Sequence, residues 1–246
     1  MQCKSSKIYI VLTGLVLSIG IVLGSYCISS AMKYYRNFDR VVEVKGLAER
    51  LVRSNNGTWN IYYSATGDNL SATSSKISKD SLAIRAFLLA SGFESSEIQS
   101  GVLSVLDNYA SQYSSGNYNN DIKNKVPHYQ VTGNIILTTN KVDKLVKASQ
   151  NTAKLIDSGV IVSSNYLNYY YTDLNSIKPS MLSEAVDNAR TSASSFATNT
   201  SSVISGIKSA NQGFFSIMSV DGSNANDTTS VDKKIRVVTS MQFFIK

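Results

Sequence analysis

The chain has 246 residues, 43% of them apolar, and a formal net charge of +7, which suffices for one large domain or two small ones and excludes a disordered or low-complexity linker. Serine, asparagine, threonine and tyrosine abound while prolines number 2, a balance that favours a strand-rich fold with polar loops. The bases are scattered among acids rather than gathered on one aromatic-studded face, so nucleic acid is not an expected partner.

The chain opens with Lys4 and Lys7 and then runs from Ile8 to Ile28 without a charge. As a helix at about 1.5 Å per residue, that stretch covers a hydrocarbon core of about 30 Å. The expected organisation is a cytoplasmic N-terminus over 1–7, a transmembrane anchor over 8–28, a linker over 29–40 and a folded domain over 41–246. Lys4 and Lys7 keep the N-terminus inside and place the domain on the far side of the membrane; Lys33, Arg36 and Arg40 weaken that orientation without reversing it. Their expected role is a solvated stop after the span, with attraction to anionic lipid heads as the second reading. The competing reading of the whole segment is a signal peptide cleaved after Ala31, because Ser29, Ser30 and Ala31 are small, but the apolar run exceeds the roughly 7 to 15 residues of a signal core. Tyr26 is too bulky to precede a lipidated cysteine at Cys27. Cys3 and Cys27 stand at opposite ends of the span and cannot pair within the chain. The domain beyond holds no cysteine, so its stability is expected to come from its core.

Val41 to Lys45 reads as a first strand with Val42 and Val44 on one face, Gly46 as a turn, and Glu49 and Arg50 as facing solvent or each other's strand. Thr58 to Gly67 alternates Trp59, Ile61, Tyr63 and Ala65 against polar residues and reads as a second strand. The turn signal Ser54-Asn55-Asn56-Gly57 joins the two as a hairpin or as neighbours. Asp68 caps a first helix whose stripe comprises Leu70, Ile77, Ala83, Ile84, Phe87, Leu88 and Ala90, with Gly92 as its stop. Ile98 to Tyr113 reads as a strand, residues 114–124 as a polar loop, and 128–139 as a strand with Tyr129, Val131, Gly133, Ile135 and Leu137 on one face. These two strands form a central antiparallel hairpin.

A second helix runs from its cap Asn140 to its stop Gly159, with Val142, Leu145, Val146, Ser149, Ala153 and Ile156 at helical spacing. Residues 159–174 read as a strand. Pro179 starts a third helix carrying Met181, Leu182, Ala185, Val186, Ala189 and Phe196. Phe214 to Val220, a polar loop over 221–230 and a last strand over 231–246 close the chain. In that last strand Ile235, Val237, Thr239, Met241, Phe243 and Ile245 form the inner face. Val238 and Phe244 mark a partly covered second face, under another layer or another copy of the protein. The order is ββαββαβαββ, an antiparallel-rich α+β fold, expected as two sheet-and-helix lobes sharing the central hairpin.

Chemistry has few places to reside. The domain has one histidine, His128, at a strand start after Pro127, where a solvent-facing or packing histidine is commoner than a Ser-His-Asp site. The usual His and Cys zinc sets are excluded. Glu94 with Glu97 and Glu184 with Asp187 stand three apart and could serve as glycosidase carboxylates only in an aromatic-lined cleft; solvation of a helix surface explains both pairs. Gly46 lacks the repeated glycines and the Lys-Ser/Thr ending of a phosphate loop. Tyr166, Tyr169, Tyr170 and Tyr171, with Tyr109, Tyr113, Tyr118 and Tyr129 about the hairpin, suit a contact surface and equally suit strand formation. No catalytic, cofactor-binding or metal-ligating residue is assigned.

VVEVKGLAER, followed by a strand, TGDNL and an amphipathic helix, resembles the opening of the SIMPL-domain family. HYQVTGNIILTTNKVDKLVKAS is similar to that family's strand and helix entry, with Val142, Asp143, Lys144 and Leu145 in place. LSEAVDNAR is similar to its third helix, and KKIRVVTSMQFFI to its closing strand. The resemblance spans Val41 to Lys246 and rests on order and spacing. It implies an exported bacterial α+β protein prone to ring-like homo-oligomers, akin to periplasmic immunogenic and oxidative-stress defence proteins. It supplies no catalytic residue. The chain departs from the family at Asn56-Gly57-Thr58, where an Asp-Leu-Ala or Pro-Asp element is usual. Its anchor also stands where many members have a cleavable signal peptide. The expected function is therefore non-catalytic binding or self-assembly at the envelope, with an envelope glycan hydrolase and a passive structural antigen as alternatives.

Overall fold

The computed structural model describes residues 3–38, 40–110 and 126–246. Strands in chain order are β1 (Val41–Arg53), β2 (Asn56–Gly67), β3 (Ile98–Ser100), β4 (Ser104–Asp107), β5 (Tyr129–Thr139), β6 (Ile161–Tyr170), β7 (Ile204–Gln212), β8 (Ser216–Ser219) and β9 (Asp232–Ile245). The helices are α1 (Cys3–Phe38), α2 (Leu70–Ala90), α3 (Val142–Gln150), α4 (Ala153–Asp157) and α5 (Leu174–Asn199). The α+β class with antiparallel sheets is as the sequence predicts. Two compact units are present: Met1–Glu49 with Pro179–Phe215 and Arg236–Lys246, and Arg50–Lys178 with Ser216–Ile235.

The first unit begins with α1. This helix contains the apolar run of 8–28 and continues through residues 29–38, where the sequence predicts a linker. Its stretch Leu12–Ser30 is long and apolar enough to cross a membrane, and none of it is covered by the rest of the chain. A sheet of order β1-β9-β7, with β8 also on β9, carries α5. Val42, Ala189, Ala193, Met241 and Phe243 form a core flanked by Val44, Val186, Ile204 and Ile245.

Gly46 is not a turn. β1 runs straight through it and keeps alternating, with Val42, Gly46 and Ala48 buried and Leu47 and Glu49 exposed. A Cβ on Gly46 would lie 1.8 Å from the Ala185 carbonyl oxygen and 2.7 Å from the Ala189 nitrogen. The position needs hydrogen because the backbone of α5 passes over it. That close approach also explains the helix's buried line, Met181, Ala185, Ala189, Ala193 and Ala197, since a row of small residues four apart lets a helix lie low on a sheet. Phe196, predicted for the stripe, is 51% exposed. Pro179 lies inside α5 instead of starting it; the sequence also does not announce β7, which precedes the predicted 214–220 strand.

The second unit is built on β2, which pairs antiparallel with β5 on one side and β6 on the other, placing Trp59 opposite both Leu137 and Leu167. β3 and β4 both pair with the far side of β5. The predicted strand from Ile98 is thus two pieces. Ser100 faces Ile135 and Ser104 faces Thr132, so four steps match three and the extra residue makes a bulge. Tyr113 and the 114–124 loop lie outside the described residues. This hairpin belongs to one sheet and is not shared, and β1 and β2, predicted as partners, lie in different sheets.

α2 buries Ile77, Ile84 and Leu88 on this sheet, with Phe87 edge-on to Trp59 at 6.5 Å. Its cap is Asn69, whose side chain accepts the Ala72 N–H, and not Asp68; Leu70 is 42% exposed. Gly92 (φ 89°) and Gly159 (φ 82°) end their helices in the left-handed region as predicted. The long second helix is broken. The Asn151 side chain donates to the Lys147 carbonyl and the Thr152 hydroxyl to the Ser149 carbonyl, and such side-chain bonds interrupt the ladder. The break shifts the register, so Leu155 is buried (1%) and Ile156 is 64% exposed. The predicted cap Asn140 is replaced by Lys141, whose N–H donates to the Thr139 hydroxyl.

Candidate functional site

Glu94 and Glu97 flank a single 3-10 turn, Ser95–Glu97, in which each carboxylate accepts the other's backbone end as a capping box. Lys141 Nζ donates to Glu94 Oε1 at 2.8 Å and Glu97 Oε2 at 3.1 Å, and the Thr139 hydroxyl donates to Glu97 Oε1 at 2.6 Å. Burial pushes the Glu97 carboxyl up, but the bonds from Thr139, the Glu94 N–H and Lys141 outweigh it and hold the group below its usual value of 4.5. Lys141 is held above its usual 10.5 by the bonds to Glu94 and Glu97. A glycosidase acid needs the opposite shift, upward. What this arrangement does chemically is tie the loop after α2 to the end of β5.

A lowered carboxylate stabilises the fold above its unfolded pKa and loses that contribution as pH falls through the folded value. Glu97→Gln is therefore expected to cost about 1 kcal/mol at neutral pH. The gap between variant and parent, read from urea midpoints, should close in acid as the pH falls below 4.5 and through the lowered folded value. A gap that persists in acid would assign the loss to packing.

His128 stacks between Tyr109 and Tyr129, with ring centroids 4.1 and 3.9 Å away. Its Nε2 lies 3.2 Å from Asp107 Oδ1, and its backbone N–H donates to Asp68 Oδ1 at 3.0 Å. The Ala110 N–H first, then the Tyr109 N–H and His128, hold Asp107 below its usual 3.8 against burial. The imidazole's described contacts are thus tyrosine rings and an aspartate that caps the next turn.

Glu184 and Asp187 are exposed on α5, beside a shallow polar groove lined by Arg190, Thr191, Ser194, Ser195, Thr198 and Asn199. This pair belongs to the first unit and the Glu94–Glu97 turn to the second. Tyr169 is buried, whereas Tyr166 and Tyr170 are 58% and 40% exposed on β6; Tyr118 lies outside the described residues. Among the described residues no three His, Cys, Asp or Glu side chains gather as a metal cage.

One charged cluster escaped prediction. Lys233 and Asp227 have side chains only 1% and 3% exposed, with Nζ 3.9 Å from Oδ2. Lys233 Nζ donates to the Asp227 carbonyl at 2.6 Å. Asp227 Oδ1 accepts the Thr229 N–H and hydroxyl, and Oδ2 accepts the Ser230 N–H and hydroxyl. Burial pushes the Lys233 ammonium below its usual value despite Asp227, while the bonds from Thr229 and Ser230 hold Asp227 low against burial. The signal was parity, since Lys233 falls on the same face of β9 as Ile235 and Val237. The loop that Asp227 organises covers part of the β6 edge, where Tyr169 N–H donates to Thr228 O and the Thr228 hydroxyl to Asn168 Oδ1.

These features define an α+β domain preceded by an apolar helix, with Glu94, Glu97 and His128 engaged in structural contacts. The model of the family described as SIMPL, protein of unknown function (DUF541), matches residues 42–243, and the chain belongs to that family. No curated protein matches it.

Proposed function

We propose that this chain is a membrane-tethered, non-catalytic binding and self-assembling protein whose folded part stands on the periplasmic side of a bacterial inner membrane, serving envelope maintenance or oxidative-stress tolerance. The observation that carries the reading is α1. Its segment Leu12–Ser30 is apolar and uncovered, a state that is costly in water and favourable in lipid. The lysines that precede the span support the orientation. Glu94 and Glu97 cap a turn and His128 stacks on tyrosine rings, uses that favour structure over catalysis.

The chain is expected to stay with membranes through an alkaline carbonate wash, and protease added to spheroplasts should digest the folded part. Arginine at both Leu17 and Val22, each costing roughly 2.5 to 3.5 kcal/mol at the centre of a span, should release it. A mature N-terminus beginning after Ala31, found by mass, would sink the tether.

A further inference from the structure

The five strands β2 to β6 carry a single charged side chain, Asp107, in a chain where 17% of residues are charged. One face of their sheet buries Trp59, Ile61, Ile135 and Leu137 in the core. Alternation turns the other set of side chains away from that core. On that second face Asn60 lies opposite Ile136 and Tyr166, and Tyr62 lies opposite Asn134 and Ser164. Asn60, Tyr62 and Asn134 are half-buried, and Tyr166 is 58% exposed. The Tyr62 and Tyr166 rings meet edge to face, with centroids 6.0 Å apart and planes at 81°. The side chains of Asn60 and Asn134 make no hydrogen bond among the described residues.

We infer that this face binds a neutral glycan strand, which deepens the reading of a tethered binding protein and rests on it. The absence of charge matches a neutral ligand and gives neither a polyanion nor a polycation a counter-charge. Amides without a hydrogen-bond partner among the described residues match hydroxyl and acetamido groups, because each presents both functions; that of Asn60 is the more open, since the Asn134 amide packs over Gly101. The Tyr62 and Tyr166 rings, on adjacent strands with centroids 6.0 Å apart, offer a sugar's C–H face apolar surface with a polar rim.

The test uses the full chain in detergent micelles, with chitohexaose in calorimetry and a glycan array spanning neutral and anionic strands. Saturable binding of a neutral strand is expected, weakened about tenfold by Tyr166→Ala and by Asn60→Ala and unchanged by Phe214→Ala, which alters a residue outside this sheet. Circular dichroism checks that the variants fold. Absence of saturable binding to any neutral glycan overturns the inference, as do a preference for anionic strands and affinities indifferent to both substitutions. A change in sedimentation on Tyr166→Ala without glycan binding would assign the face to a second copy and also overturn it. Because micelles require no membrane orientation, failure here leaves the tether standing, and carbonate release leaves glycan binding standing.

Discussion

Gly46→Ala is expected to destabilise the first unit by about 3 kcal/mol, near the upper end of overpacking costs. The added methyl would meet the Ala185 carbonyl oxygen at 1.8 Å and the Ala189 nitrogen at 2.7 Å. Both are helix backbone, so no rotamer change relieves the clash. Either α5 lifts from β1, which opens the core of Val42, Ala189, Ala193, Met241 and Phe243, or the strand bends out of its sheet. Truncating the helix at its nearest side-chain contact, in Gly46→Ala with Ala189→Gly, relieves the 2.8 Å approach to the Ala189 Cβ and leaves the carbonyl contact. That double variant should not recover stability, and the added glycine should lose about 1 kcal/mol more. Equilibrium urea unfolding in micelles reads both. A Gly46→Ala protein within about 0.5 kcal/mol of the parent would show that α5 does not lie this close.

Where one segment's own pattern sets its structure, the sequence sufficed. The buried Ile77, Ile84 and Leu88 of α2, the alternation of β2 and β5 and the inner face of β9 follow from periodicity alone, as does the apolar run inside α1. The misses arose where a neighbour distant in sequence decides. Gly46 reads as a turn until α5, some 140 residues later, is laid over it. Pro179 reads as a helix start, and a tertiary setting accepts it inside the helix. The break between α3 and α4 was closer to legible, because Asn151 and Thr152 are residues that compete for backbone carbonyls. Of the candidate site, the spacing of Glu94 and Glu97 was visible and their use was not. Lys141, which converts the pair from a catalytic prospect into a clamp, lies 44 residues beyond Glu97.

The buried pair of Asp227, in the loop before β9, and Lys233, in β9 itself, should respond asymmetrically to substitution. Asp227→Ala removes the acceptor of four bonds from Thr229 and Ser230 and strands the Lys233 ammonium in a site where its side chain is 1% exposed. Breaking a buried pair in this way costs about 3 to 5 kcal/mol. Lys233→Met keeps much of the volume and leaves Asp227 with those four bonds, so a loss of about 1 to 2 kcal/mol is expected, close to that of a single charge-assisted hydrogen bond. The two costs differ in their dependence on pH. Lys233 titrates below its usual 10.5 in the fold, so between its folded value and 10.5 the unfolded chain holds the extra proton and stability rises with pH. Removing Asp227 depresses Lys233 further, which widens that window. Urea midpoints of Asp227→Ala should therefore climb from pH 7 to pH 10 more steeply than those of the parent, whereas those of Lys233→Met should lack this component. Equal losses in both variants with parallel pH profiles would place the cost in the loop caps alone and leave the ammonium without an energetic role.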